Sequence, residues 1–206
     1  MKTEKRCAWC LSDPVYTKYH DEEWGVPVFD DHKLFEFLIL EGAQAGLSWL
    51  TVLKRRAGYR AAYKKFDVKK VAKFTEKDIQ RLILDKRIVR NHLKIRSSIN
   101  NAKLFIEIQK EFGSFASYSW SFVGGTPVMN KRRSLKEIPA TSKASDALSA
   151  DLKKRGFKFV GSTIIYAHMQ ATGMVNDHLT SCPNYAKIVA LSPASSRRRG
   201  PCNECE

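Results

Sequence analysis

The sequence predicts an all-α protein. Apolar residues recur at intervals of three and four along most of the chain, and sustained period-two alternation of β-branched residues is missing, so sheet is expected to be negligible. Helix-starting residues stand just ahead of the periodic stretches: Asp30 or Asp31 before Leu34, Ser48 before Trp49, and Thr75-Glu-Lys-Asp78 before Ile79. With 206 residues and 43% hydrophobic composition, the chain can bury a substantial core as one domain or two small ones sharing a cleft.

The first strong helix carries Leu34, Phe35, Leu38 and Ile39 toward that core and ends near Gly46. A second begins at Ser48 and holds Trp49, Val52 and Leu53. The capping pattern at Thr75 opens a helix with Ile79, Leu82 and Ile83 inside, and a longer one follows with Ile95, Ile99, Ala102, Phe105 and Ile106. Between them lies Asp85-Lys-Arg-Ile-Val-Arg-Asn-His92. Phe115 to Val123 reads as a short aromatic helix, and Gly124-Gly125-Thr126-Pro127 begins an irregular polar connection to Ser142, the best linker candidate. Ser145 is expected to cap a helix ending at Gly156, and Ser162 or Thr163 to open another through Ile164, Ile165, Ala167 and Met169 to about Gly173. Residues 191–206, with Arg197-Arg-Arg199 and Cys202-Asn-Glu-Cys205, read as a disordered basic tail.

Thirty-six Lys+Arg against 21 Asp+Glu leave a net charge of +15. Such a surplus concentrates polyanions, which makes nucleic acid the leading partner and an anionic membrane surface the second. Lys54-Arg-Arg56, Arg60, Lys64-Lys65, Arg87, Arg90, Lys94 and Arg96 each suit a solvated helix face. Together they favour phosphate contact, which gives affinity and salt dependence without sequence preference. No apolar stretch of signal-peptide length follows the charged start, and the apolar-rich stretch from Leu34 to Leu53 is interrupted by Glu36, Glu41, Gln44 and Ser48. The expectation is a soluble, cytoplasmic protein with no membrane partner. Five cysteines, an odd count, are then expected as reduced thiols.

Glu41 is the most telling residue, because Leu38-Ile-Leu40 and Gly42-Ala43 put a carboxylate inside an apolar helix, on one face with Leu34, Leu38 and Ala45. Burying it unpaired is costly, so either it pairs with a basic group or the helix end lines a pocket. Trp9, Tyr16, Tyr19, Trp24 and Trp49 all fall in the first 50 residues, and flat rings around a carboxylate suit a cationic, hydrogen-bonding ring, although each ring alone also suits a core. Cys7 and His20 near one end, with His178 and Cys182 four apart near the other, have the ligand types of a closed tetrahedral zinc site, with Cys7-x-x-Cys10 as a competing ligand pair.

The ensemble resembles the bacterial 3-methyladenine DNA glycosylases of the constitutive type, within the helix-hairpin-helix superfamily. The resemblance rests on Cys7-Ala-Trp9, Asp13-Pro-Val-Tyr16, Tyr19-His-Asp-Glu-Glu-Trp-Gly25-Val-Pro27, Gln44-Ala-Gly-Leu-Ser-Trp49, Ser145-Asp-Ala-Leu-Ser149, Leu152-Lys-Lys-Arg-Gly-Phe-Lys-Phe-Val-Gly161 and Val175-Asn-Asp-His178. It implies a helix-hairpin-helix glycosylase-like bundle in which one structural zinc ion, held by Cys7, His20, His178 and Cys182, staples the N- and C-terminal segments. It implies a terminal subdomain of residues 1–30 plus 143–190 and a central domain of 31–142. The base pocket falls on Glu41, Trp9, Tyr16, Tyr19, Trp24 and Trp49, with Leu47 filling the gap left in the DNA stack. A hairpin at about 85–94, with Arg87, Arg90 and Lys94, falls on the DNA backbone, and Arg87 stands where a glycine-containing turn is more usual.

The implied activity is excision of 3-methyladenine from double-stranded DNA by a monomeric, monofunctional enzyme that leaves an abasic site. The aspartate that aids water attack in related glycosylases is implied to be absent, which leaves Glu41 as the residue for catalytic assistance. The competing reading is a zinc-stabilised binder of damaged or distorted DNA that excises nothing.

Overall fold

The computed structural model describes residues 5–191, so the tail with Cys202 and Cys205 lies outside the described residues. The axis of the fold is helix α2 (Asp31–Gln44), capped by Asp30, whose carboxylate accepts the Lys33 backbone N–H at 2.8 Å. Every residue of α2 from Leu34 to Ala43 is buried. It is enclosed by α3 (Trp49–Leu53), α7 (His92–Phe112), α8 (Phe115–Ser121) and α10 (Ser162–Ala171). A helix apolar all round is a core helix, and any polar residue it carries is buried with it.

Around this axis the N-terminal helix α1 (Pro14–Glu22) begins with proline in its first turn and Asp13 as cap. The Asp13 carboxylate also meets Lys54 Nζ at 2.6 Å, fastening α1 to the end of α3. Then follow α4 (Arg56–Ala62), the short α5 (Val68–Val71) and α6 (Glu76–Leu84), which opens on the expected capping box of Thr75 and Asp78. The turn between α6 and α7 is closed by Asp85, whose carboxylate accepts the Arg87 N–H at 2.9 Å while its carbonyl accepts the Ile88 N–H at 3.3 Å. No residue of this turn has a positive φ, so it holds its shape without glycine.

Two expectations are corrected. The connection from Gly124 to Ser142 is no linker: β1 (Val128–Met129) pairs in parallel with β2 (Val175–Asn176), and Leu135 and Ile138 pack at a cavity wall. Helix α9 (Lys143–Lys154) is capped by Ser142, three residues before Ser145. The two serines form a reciprocal box, Ser145 N–H to Ser142 Oγ at 3.1 Å and Ser142 N–H to Ser145 Oγ at 2.8 Å. The last described helix is α11 (Pro183–Leu191). Among the described residues, no helix is long and apolar enough to cross a membrane.

Candidate active site

Helix α2 buries two carboxylates, and the structure treats them oppositely. Glu36 is met by Arg56 Nε at 2.5 Å and by Arg60 at 2.9 Å, and Arg56 also bonds Glu23 at 2.8 Å. Glu41, 3% exposed, receives no hydrogen bond and no ion pair among the described residues. Burial alone pushes its carboxyl up to about 8. It also lies in the last turn of α2, where the helix dipole is negative and disfavours a second negative charge. An unpaired acid held against such a cost selects for a positively charged partner.

Glu41 borders a cavity of about 350 Å³ whose walls include Trp9, Tyr16, Tyr19, Trp24 and Trp49. This lies at the lower end of the size range of small-molecule sites, roughly 300–1,000 Å³. Every base-pocket residue expected from the sequence is thus brought to one hollow. The rings brace one another, Trp9 against Tyr16 and Trp24 at centroid distances of 4.8 and 5.0 Å, and Tyr19 against Trp49 at 5.6 Å. Burial first, and the neighbouring Glu41 second, raise the Tyr16 and Tyr19 phenols, which therefore stay protonated and keep their O–H donors.

Beside the cavity lie four buried side chains, Cys7, His20, His178 and Cys182, with their ligand atoms all within 4.8 Å of one another. Cys7 Sγ is 3.8 Å and Cys182 Sγ 3.7 Å from His178 Nδ1, and Cys182 Sγ is 3.6 Å from His20 Nε2. A tetrahedral zinc ion with Zn–S near 2.3 Å and Zn–N near 2.0–2.1 Å requires sulfur–nitrogen edges of about 3.6 Å. The outward ring nitrogens are already engaged: His20 Nδ1 lies 2.8 Å from the Asp21 carboxylate and His178 Nε2 donates to the Trp24 carbonyl at 2.9 Å. Both lone pairs are therefore aimed inward, as a metal requires. Cys10 is not in the cluster; its thiol donates to the Cys7 carbonyl at 3.1 Å.

The cluster and the cavity share a wall. Trp24 packs on His178 at 4.6 Å and on Trp9, which packs on His20 at 5.3 Å. Gly25 makes room for this arrangement, since its φ is +81° and a Cβ there would stand 2.9 Å from His178 Nε2. Gly25→Ala is expected to weaken metal binding about 10–100-fold, measured by competition with a chromogenic chelator, because it tilts the His178 ring. Unchanged affinity would remove Gly25 from the site.

Of the residues expected on DNA, Leu47 is 41% exposed in the loop between α2 and α3, and Arg87 and Arg90 are exposed on the α6–α7 turn. Lys94 differs from expectation. Its ammonium turns inward and donates to the Ala43 and Ala45 carbonyls at 2.8 and 2.6 Å. Partial burial lowers its pKa, and it acts as a cap on the open carbonyls at the end of α2.

Residues 9–185 match the family model for methyladenine glycosylase. The chain belongs to the methyladenine glycosylase family. It is 51% identical over 181 residues to DNA-3-methyladenine glycosylase 1 of Escherichia coli (strain K12), covering 88% of this chain and 97% of that protein. It superposes with a TM-score of 0.85 on a crystal structure of 3-methyladenine DNA glycosylase I, at 51% identity and with 87% and 98% of the two chains covered. The same score holds for the 3-methyladenine DNA glycosylase I of Staphylococcus aureus, from work on the structural basis of 3-methyladenine recognition, at 37% identity with 88% and 97% covered.

In this methyladenine glycosylase-family chain, sequence reasoning missed part of the cavity wall: Gln44, Leu135, Ile138, Ala167 and Gln170. Gln44 was findable, three residues after Glu41 on the same helical face, and Gln170 interrupts an apolar helix as Glu41 does. Leu135 and Ile138 carry no periodic signal. Their segment is held by Asp177, a buried carboxylate that accepts from Asn130 Nδ2 (2.8 Å), Arg132 Nε (3.2 Å), Tyr166 Oη (2.6 Å) and Gln170 Nε2 (2.8 Å).

Proposed function

We propose that the protein is a DNA repair glycosylase that excises 3-methyladenine, with the unpaired buried Glu41 facing a ring-walled cavity as the observation that carries the reading. Methylation at N3 leaves the adenine positively charged and weakens its bond to the sugar. The leaving group arrives activated, so the enzyme's work is to extrude the nucleotide, at a cost of a few kcal/mol, and to recognise it. The rings of Trp9, Tyr16, Tyr19, Trp24 and Trp49 accept the flat face of any base. The Glu41 carboxylate favours the cation and accepts hydrogen bonds from the exocyclic amine, whereas neutral adenine offers no charge to repay ionising a buried acid. As the glycosidic bond lengthens, the sugar gains positive charge that the same carboxylate stabilises while water attacks. No lysine nucleophile is required, so the product is an abasic site in an uncut strand.

Duplex DNA is bound through phosphate contacts at Arg87 and Arg90 of the hairpin, with Leu47 entering the gap left by the extruded base. Lys94 clamps the start of α7 to the end of the Glu41 helix. Cys7, His20, His178 and Cys182 would hold a zinc ion whose contribution is structural, since four protein ligands leave no open position for water. The unit of action is a monomer, because one flipped nucleotide fits one cavity. Of the expected 1–30 plus 143–190 part, the described residues 5–30 and 143–190 form the zinc-stapled part and 31–142 the central part.

The test is release of free 3-methyladenine from methylated duplex DNA, followed by chromatography. Excision is expected without strand cleavage, and kcat/KM should rise with pH to a plateau above about pH 8, because the ionised form of Glu41 binds the cation and ionisation of the empty site is complete only there. Binding without release would identify a non-catalytic DNA binder instead.

A further inference from the structure

The geometry points to Gly58 and Tyr59 of α4 as positioning residues that seat the Asp85–Lys94 hairpin, with the bare Cα of Gly58 allowing the hairpin to carry Arg87. A Cβ at Gly58 would stand 2.5 Å from Arg87 Cβ, 2.6 Å from the Arg87 carbonyl oxygen and 3.1 Å from its carbonyl carbon. Two of these three atoms are backbone, so no rotamer change relieves the clash. Gly58 lies inside α4 without a positive φ, so the backbone does not demand glycine there. A glycine inside a helix is destabilising relative to alanine, and here the close approach of the hairpin is what requires it.

The neighbouring contacts point the same way. Tyr59, 2% exposed, accepts the Val89 N–H on its hydroxyl at 3.1 Å. Ile88, also 2% exposed, belongs to the hydrophobic core. Three consecutive residues are therefore anchored, two of them on α4: the main chain of Arg87 on Gly58, the side chain of Ile88 in the core, and the amide of Val89 on Tyr59. The outward part is the Arg87 guanidinium, 62% exposed and aligned by Asp85 at 2.7 Å. Neither Gly58 nor any hairpin residue lines the Glu41 cavity. Relieving a 2.5 Å approach to ordinary carbon–carbon separation moves the hairpin by about 1 Å. That shift alters the register of the Arg87 and Arg90 cations on phosphate, while Lys94, held on the Ala43 and Ala45 carbonyls, stays with the Glu41 helix and the pocket stays intact.

The inference rests on the hairpin being the duplex contact proposed above, and the experiment separates the two. Affinity for undamaged duplex is measured over a range of salt for wild type, Gly58→Ala, Arg87→Gly, the double variant, Arg90→Ala and Tyr59→Phe. Binding of free 3-methyladenine is followed by tryptophan fluorescence, and folding by circular dichroism. Gly58→Ala should raise the duplex Kd roughly tenfold and flatten the slope of log K on log salt by about 0.9 for each phosphate that is no longer neutralised, with free-base affinity unchanged. Tyr59→Phe, which keeps the ring and removes only the acceptor for Val89, should raise it a few-fold. Arg87→Gly removes the cation whose placement Gly58→Ala disturbs, together with one of the three clashing atoms, so the double variant should lose less than the sum of the two single losses. Losses that add in the double variant, a Gly58→Ala protein with wild-type Kd and slope, or a Tyr59→Phe protein that binds as wild type would overturn the positioning role. Wild-type affinity in both Arg87→Gly and Arg90→Ala would instead overturn the duplex-contact reading, and this inference with it.

Discussion

Glu41→Gln is expected to lower kcat/KM for 3-methyladenine about 10²–10³-fold, the loss typical of removing one group that stabilises charge in the transition state. The same change should stabilise the DNA-free protein at high pH. The folded carboxyl titrates near 8 and its unfolded counterpart near 4.5. Between those values the folded state binds more protons than the unfolded one, so wild-type stability falls as pH rises through the window and is level on either side of it. The difference in titration amounts to about 5 kcal/mol. Glutamine does not titrate, so the stability advantage of the variant should be small at pH 4 and grow to several kcal/mol by pH 9, as read by urea unfolding. A variant that keeps full excision removes the carboxylate from the mechanism; one whose advantage is flat with pH shows that the acid is not held protonated by burial.

The second large effect concerns the cluster of Cys7, His20, His178 and Cys182. Its members come from α1, the turn before it and the segment before α11, with a sequence separation of 171 between Cys7 and His178. A tie across so long a stretch removes unfolded-chain entropy, worth about 4–5 kcal/mol for a cross-link closing a loop of over a hundred residues. Cys182→Ala is therefore expected to abolish stoichiometric zinc and to lower Tm by roughly 10 °C or more, and chelation of the wild type should do the same. Metal content by mass spectrometry and Tm by calorimetry are the checks. Because Trp9 and Trp24 pack on the two histidines, the metal-free protein should also bind the free base less tightly. Wild-type zinc in Cys182→Ala would mean the ligand set is different, for instance one that uses Cys10.

Helix starts are legible wherever a cap precedes a periodic run, as at Asp30, Ser48 and Thr75, because these signals are local. The start of α9 is ambiguous in sequence since two serines three apart both form part of one capping box, and pattern alone does not say which is the cap. The parallel pairing of β1 with β2 joins residues 47 apart and is two residues long, too short for any alternation to register. The inward turn of Lys94 is equally hidden, since a lysine in a basic run looks the same whether it meets phosphate or a helix end.

The resemblance to a family supplied the residues of the pocket and of the Cys/His cluster, while the sequence by itself determined the helical architecture and the positive charge, because periodicity, capping and composition are written in neighbouring residues. It did not decide which buried acid of α2 is free. Glu36 and Glu41 lie on the same apolar helix, and only the packing of α4 against it brings Arg56 and Arg60 to the first. The second is left with aromatic walls and no counter-charge. The physical reason is that the free energy of a buried charge is set by whatever lies within a few ångströms in space, and in a folded chain those neighbours come from distant positions.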